Sequence, residues 1–314
     1  VSRSIAASAE RDTLFAAGPV APFRFDADVA RVFPDMLDRS IPGYASIVAQ
    51  TGLIAARFAQ PDTHLYDLGC SLAASALAMR SALTVPAAAG RADEPAANPR
   101  ATPDARTQTQ TRTRTRTQTQ TQTQTQTETQ TKTPPASPSL GQVIAGSCRI
   151  VGVDNSSAML ERAAGVVEEH RRATPADALA PALDLHEADL AAFPLEPASV
   201  VAMNFTLQFV APDARTVLLT RIADALLPGG VLVLSEKVRF ADPELDALHI
   251  DMYHAFKRAN GYSALEVARK RAALEDVLVP DTLPEHEARL RTAGFTRIGV
   301  WFQCFNFASL IAIR

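Results

Sequence analysis

Short apolar runs and longer amphipathic stretches take turns along this chain, and their order predicts the architecture. His64 to Leu68 (HLYDL) is an extended run that stops at Gly69, and the SLAASALAMRSAL that follows is rich in the helix formers Ala and Leu. CRIVGVD reads as a buried strand ending at Asp154, and NSSAMLERAAGVVEEHRR as a helix with Ser156 or Ser157 as its N-cap. LDLHEAD is a third strand, and ASVVAMNFTLQFV a fourth that runs into a loop. ARTVLLTRIADALLPGG is amphipathic and helical up to a stop at Pro228, Gly229 and Gly230, and GVLVLSEKV is a fifth strand. AGFTRIGVWFQCFNFASLIAIR holds two strand-like runs around a Phe-rich segment, which predicts a terminal hairpin whose last strand is antiparallel. Residues 26–44, DADVARVFPDMLDRSIPGY, predict a helix and turn lying over the sheet edge. Strands alternating with helices indicate an α/β fold with a mostly parallel, doubly wound sheet.

One stretch does not belong to this rhythm. From about Thr84 to Val143 the composition shifts, and from Thr107 to Thr133 every second residue is Thr, alternating mostly with Gln. The alternation has the period of a strand, yet it presents no apolar face whose burial could offset the entropy of ordering. It is expected to be a solvated low-complexity loop, or else a tethering or self-pairing tract, since Gln-rich repeats can pair as strands. Loop closure costs rise only logarithmically with length, so a domain tolerates such an insert. The expected organisation is an N-terminal extension over 1–25 and a single domain over 26–314, interrupted by the insert at 84–143.

Composition narrows the class further. The chain has 314 residues, 47% of them hydrophobic, and a formal net charge of −3, which argues against global disorder and gives no sign of a nucleic-acid-binding surface. Cys70, Cys148 and Cys304 have no metal-ligand spacing and leave an odd thiol, so a reduced, cytoplasmic setting without a metal is expected. The first fifteen residues lack the apolar core of a signal peptide, and no run reaches the roughly 18 apolar residues of a membrane helix.

In an open α/β sheet ligands sit beyond the carboxyl ends of the strands, so the residues there carry the functional reading. After the first strand comes Asp67-Leu68-Gly69-Cys70-Ser71, where Gly69 lets the backbone approach a ligand and the next helix offers free N–H groups. It is not GxGxxG, because Ser71 and Ala73 or Ala74 occupy the later glycine positions. This disfavours a diphosphate cofactor and suits an amino-acid tail. Asp154, after the second strand, has lone pairs for two ribose hydroxyls. With residues 84–143 set aside, the step from Asp67 to Asp154 approaches the roughly 20 residues expected before a ribose acid. Asp189 would accept from an adenine amine with Leu190 against the ring, and Asn204 would line a methionine tail. A single aspartate after a strand also serves as a cap or turn former. Four polar strand ends in this order point instead to S-adenosyl-L-methionine and to the Rossmann-like class I fold of the enzymes that use it.

Longer blocks are more specific. RDTLF (11–15), FDADVARVFPDMLDRSIPGY (25–44), YDLGCS (66–71), VDNSSAM (153–159), MNFTLQF (203–209), LPGG with LVLSEK (227–237), FKRANGYSALE (256–266) and WFQCFNFASL (301–310) span nearly the whole chain outside the insert. In these blocks the chain resembles the carboxy-S-adenosyl-L-methionine synthase family. The resemblance implies an enzyme that converts S-adenosyl-L-methionine and prephenate to carboxy-S-adenosyl-L-methionine and phenylpyruvate. It implies a homodimer whose product passes to a tRNA carboxymethyltransferase acting on a hydroxylated wobble uridine. It also implies cofactor contacts at Tyr44, Gly69, Cys70, Ser71, Asp154, Asn155, Asp189, Leu190 and Asn204, with Arg258 clamping the added carboxylate. An arginine fork suits that role, because it can hold a carboxylate through two charge-assisted bonds. The implied chemistry removes a proton from the S-methyl group and joins that carbon to the carbon dioxide lost by prephenate. No motif presents an obvious protein base; His254 is the candidate helper. The chain departs from the family pattern at Ala73, where the family has glycine, and this places a methyl near the methionine tail. The family has no counterpart to the insert, whose ends are expected on the amino side of the sheet, opposite the site. Two rival readings share the strand ends: an ordinary methyltransferase, with no use for Arg258, and a non-enzymatic binding module.

Overall fold

The computed structural model describes residues 10–17, 21–86, 139–275 and 277–314. Two helices, α1 (Ala27–Ser40) and α2 (Tyr44–Phe58), precede β1 (His64–Leu68), α3 (Ala74–Leu83), α4 (Leu140–Ser147), β2 (Arg149–Asp154) and α5 (Ser157–Ala173). Then come β3 (Ala182–Glu187), β4 (Ala198–Asn204), a 3-10 turn at Leu207–Phe209, α6 (Arg215–Ala225) and β5 (Leu226–Arg239). The chain ends with α7 (Pro243–Ala259), α8 (Ala264–Leu274), β6 (Asp281–Thr282), α9 (Leu283–Thr292), β7 (Arg297–Cys304) and β8 (Phe307–Ile313). The sheet order is β3-β2-β1-β4-β5-β8-β7, with β6 beside the end of β5. Strands β1 to β5 run parallel, and β8 lies antiparallel between β5 and β7, as the Phe-rich hairpin predicted.

The strands read as apolar runs because both faces are covered. On one face Tyr66, Leu68, Val153, Val201, Met203, Leu232 and Leu234 pack against Leu218, Leu219 and Ile222 of α6 and Leu290 of α9. On the other, Leu65, Ile150, Val200, Ala202 and Val231 pack under α3, α4 and α5 and Ala55 of α2. Each fully buried side chain of this size contributes roughly 1.5–3 kcal/mol. Gly52 lets α2 come unusually close to α3, since a Cβ there would lie 2.6 Å from the Ala78 carbonyl oxygen.

Several sequence expectations change. The insert was bounded at 84–143, but Val85 bridges to Leu179 and α4 begins at Leu140. A capping box explains that start: the Ser139 hydroxyl accepts from Gln142 N–H while the Gln142 side chain accepts from Ser139 N–H. The Thr-alternating tract at 107–133 lies outside the described residues. The described ends of the insert do lie on the amino side of the sheet, after α3 and before β2. The N-terminal segment is more than an extension. Asp12 is buried, receives the Tyr262 hydroxyl at 2.5 Å and faces the Lys270 ammonium at 3.5 Å. Helix α1 packs with Leu72 and Met159, beside the carboxyl ends of β1 and β2 rather than over a sheet edge. Helix α6 stops at Ala225, before the predicted Pro-Gly-Gly: Leu226 is already extended and buried, and Leu227 precedes Pro228, which disfavours helical backbone. The third strand ends at Glu187, two residues short of Asp189.

Candidate active site

At the carboxyl end of β1 the chain turns so that Gly69 N–H and Cys70 N–H both donate to the Val153 carbonyl, at 2.8 and 3.0 Å. Gly69 has a φ of +77°, and a Cβ there would lie 2.3 Å from Thr206 Oγ1, so backbone strain and lack of space both require glycine. Ser71 N–H donates to Asp154 Oδ2 at 2.9 Å, and Ser156 N–H to Asp154 Oδ1 at 2.9 Å. These N–H groups do not exhaust the lone pairs of the Asp154 carboxylate, which can still accept from ribose hydroxyls. Burial raises its pKa, and the N–H groups of Ser156, Ser71 and Asn155 pull it back. Asn155 is exposed beside it. Burial raises the Cys70 thiol well above its usual range, with Asp67 and Asp154 adding to the effect, so Cys70 lines the turn as a neutral thiol.

The neighbouring ends converge on this turn. Ala188 N–H donates to the Asp154 carbonyl at 2.9 Å, which brings the β3 loop alongside. In that loop Asp189 is exposed, and its Oδ1 accepts from Ala191 N–H at 2.8 Å while its other oxygen stays open to a ligand. Leu190 is half-buried against the core, and Arg221 fixes the loop by donating to the carbonyls of Leu190, Ala191 and Phe193. Asn204, ending β4, is tied inward: its amide donates to Ser75 Oγ at 2.8 Å and Thr51 Oγ1 at 3.3 Å, and its oxygen accepts from Ser235 Oγ at 2.6 Å. Tyr44 opens α2 with its ring 6.4 Å from that of Phe205. Burial raises its hydroxyl pKa, with Asp67 and Asp38 contributing, which sets Tyr44 in the field of the β1 end. These residues fit S-adenosyl-L-methionine: a backbone turn no Cβ can enter, a carboxylate for the ribose, and a polar then apolar pair, Asp189 and Leu190, for the base.

Arg258 stands apart from them. It is exposed on α7 and lines a groove of about 300 Å³ between α7 and α8 with His254, Arg271 and Glu275, and none of the strand-end residues lines that groove. His254 borders it too, its pKa lowered by burial and then by Lys257, Arg271 and Lys237. The methyl of Ala73 has no exposed surface. It is buried in the core with Ala55, Leu65 and Leu77, although φ of +62° leaves the backbone in the region glycine prefers.

Sequence reasoning missed three residues that shape the site. Buried Glu236 accepts from Leu207 N–H at 2.8 Å and Gln208 N–H at 3.0 Å, capping the 3-10 turn after β4. Burial pushes its pKa up to about 8. Arg215 donates to the carbonyls of Val210, Gln208 and Val279 and pairs with Asp281 at 2.6 Å. Asp67 is buried and accepts from Ala76 N–H at 2.9 Å, holding the start of α3. An acid at the end of an otherwise apolar strand is the available signal for both Asp67 and Glu236.

Burial pushes the Asp67 pKa up to about 7; Ala76 N–H opposes this and Asp154 adds to it. A raised carboxyl pKa favours the protonated folded protein, so apo stability falls as pH rises from about 4 through 7. A cationic sulfonium ligand prefers the ionised form, so its affinity rises as pH increases from 6 to 8. Titrating S-adenosyl-L-methionine by calorimetry across that range checks the slope, and Asp67→Asn is expected to flatten it.

Comparison with known proteins agrees with this geometry. A family described as "Methyltransferase domain" matches residues 137–234. The carboxy-S-adenosyl-L-methionine synthase of Pseudomonas aeruginosa is 45% identical, covering 97% of this chain and 99% of its own. That of Trichlorobacter lovleyi is 42% identical over 96% of this chain and 98% of its own. The chain belongs to the carboxy-S-adenosyl-L-methionine synthase family. It is a transferase that uses S-adenosyl-L-methionine. The S-adenosylmethionine-dependent methyltransferase SibL shares the fold, with a TM-score of 0.50 and 14% identity over 99% of this chain and 67% of its own.

Proposed function

We propose that this synthase takes its carboxyl group from prephenate, releasing phenylpyruvate, and that its product supplies a tRNA carboxymethyltransferase acting on a wobble uridine. The observation that carries the reading is the strand-end cradle around Asp154 in a chain whose full-length relatives are named for the carboxylated product. In the balanced reaction the ring carbon–carboxylate bond of prephenate breaks to give carbon dioxide and its ring C–O bond breaks as the ring becomes aromatic, while one C–H bond of the S-methyl group breaks and that carbon forms a C–C bond to the carbon dioxide. The methyl proton leaves with the prephenate hydroxyl as water. S-adenosyl-L-methionine, when bound, supplies a methyl group acidified by the adjacent sulfonium. The chain's own part is to hold the nucleoside at Asp154, Asn155, Asp189 and Leu190, to bring the backbone close at Gly69, Cys70 and Ser71, and to exclude water with the aromatic groups Tyr44 and Phe205.

Arg258 is assigned to the added carboxylate. Because it is exposed in a single chain, this role calls for a second copy over α7 and α8, where Leu245, Leu248 and Leu265 are also exposed. A homodimer is part of the proposal, as is a cytoplasmic setting without direct nucleic-acid contact. Among the described residues no helix is long and apolar enough to cross a membrane. The test is prephenate-dependent formation of phenylpyruvate, compared between the parent and Arg258→Ala. The parent should form it, and the variant should bind the carboxylated product weaker by at least about 2 kcal/mol, the worth of one charged pair, with unchanged affinity for S-adenosyl-L-methionine. Absence of phenylpyruvate with the parent would overturn the reading.

A further inference from the structure

Three lysines are drawn into the helical side of the molecule, and one of them is matched. The Lys270 ammonium meets Asp12, Ser40 and the Tyr262 hydroxyl. Lys257, on α7, is 3% exposed, and Lys237 is half-buried near the end of β5. Their ammonium groups lie 4.3 and 5.4 Å from the centroid of one ring, that of Tyr253. Among the described residues, neither ammonium donates a hydrogen bond or comes within ion-pair reach of a carboxylate. The other charges nearby do not compensate. His254 and Arg271 face the pair from α7 and α8, while Asp246 and Asp251 act on Lys237 and His254 only through space. Burial lowers the Lys257 pKa well below its ordinary value, and Lys270 and Lys237 lower it further.

Withdrawing an ammonium from water is costly, and an aromatic face returns only part of that cost. Two like charges on one ring repel each other, so an anion placed against them would relieve both the repulsion and the lost hydration. The pair's position ties it to the cofactor turn. From the cofactor turn a row of rings leads outward: Tyr44 to Phe205 at 6.4 Å, Phe205 to Phe307 at 6.0 Å and Phe307 to Tyr253 at 5.0 Å. Lys237 is paired with Phe307 across the sheet, and its N–H donates to Gln208 Oε1 at 3.0 Å, which fixes it at the carboxyl end. Phe205, Phe307 and Tyr253 are themselves buried and form an apolar wall behind the lysines, to which a ligand with an apolar ring would present its carboxylates.

We propose that Lys257 and Lys237 form the carboxylate-binding subsite for the second substrate, a dicarboxylic acid bearing a six-membered ring. This rests on the prephenate reading above and names the residues that take its charge. Lys257→Met and Lys237→Met remove charge while keeping length. Each should raise the KM for prephenate at least about tenfold, as one lost charge-assisted contact implies, with S-adenosyl-L-methionine affinity within about twofold of the parent. Lys257→Arg should restore most of the loss, which a packing role for the side chain would not. Lys257→Met should be no less stable than the parent, since it removes an uncompensated buried charge. Calorimetric titration of the cofactor-loaded protein with prephenate separates the two claims. If the parent makes product and both Met variants keep its KM, the subsite is wrong and the reaction stands. If the parent binds prephenate without turnover and the variants lose that binding, the subsite stands and the reaction is wrong. A parent that binds no prephenate overturns both.

Discussion

Asp154→Ala is expected to weaken S-adenosyl-L-methionine binding by at least about 100-fold. The carboxylate does two jobs at once. It accepts from Ser71 N–H and Ser156 N–H, which locks the β1 turn to the start of α5, and it offers its remaining lone pairs to the ribose. Each charge-assisted hydrogen bond to a ligand is worth about 1.5–3 kcal/mol, so losing two costs at least about 3 kcal/mol, and each 1.4 kcal/mol is tenfold. Asp154→Asn keeps one acceptor oxygen and should fall between the parent and alanine. Isothermal titration with the nucleoside, alongside thermal unfolding of each variant, checks the loss. Parent-like affinity in Asp154→Ala would place the ribose elsewhere.

Arg215→Ala is expected to cost about 3–5 kcal/mol of stability, as breaking one side of a buried ion pair does. Arg215 is 1% exposed and serves three carbonyls as well as Asp281, so its loss leaves buried acceptors without donors. Asp281 keeps Arg289 at 2.7 Å, which limits the damage on that side. Burial alone would raise the Asp281 pKa, but Arg289 and Arg215 hold it below its ordinary value. That contribution is present above the unfolded carboxyl pKa and is lost as pH falls through the folded one, so the variant should also show a weaker loss of stability in acid. For a domain of this size the expected fall in Tm is about 10 °C. Differential scanning calorimetry at pH 7 reads it directly. The loop after β4 depends on the same residue, so loss of cofactor affinity should accompany the loss of stability.

The strands and the cofactor turn were legible because both obey local rules. HLYDL ends at Gly69 in the sequence and in the structure, and the Phe-rich segment makes the hairpin it predicted. Asp154 was legible for the same reason: a carboxylate at a strand end has few other places to point. The supporting groups were not. Glu236 reaches partners 28 and 29 residues away and Arg215 reaches Val279 and Asp281, 64 and 66 residues away, and no periodicity reports such distances. The start of α4 was missed because its capping box lies within the last residues of a compositionally foreign stretch. The methyl of Ala73 was assigned to the ligand side, and only the path of the turn after Gly69 shows that it enters the core. Arg258 came from the resemblance, and in the single chain it is exposed on α7, in a groove that none of the strand-end residues lines.

The central claim is that this chain makes a carboxylated nucleoside. Mass spectrometry of the small molecules released when the purified protein is denatured, before and after incubation with prephenate, tests it most directly. A nucleoside heavier than S-adenosyl-L-methionine by one carboxyl group, increasing with prephenate, is the predicted result. Unmodified S-adenosyl-L-methionine or its demethylated form, persisting after that incubation, would contradict it.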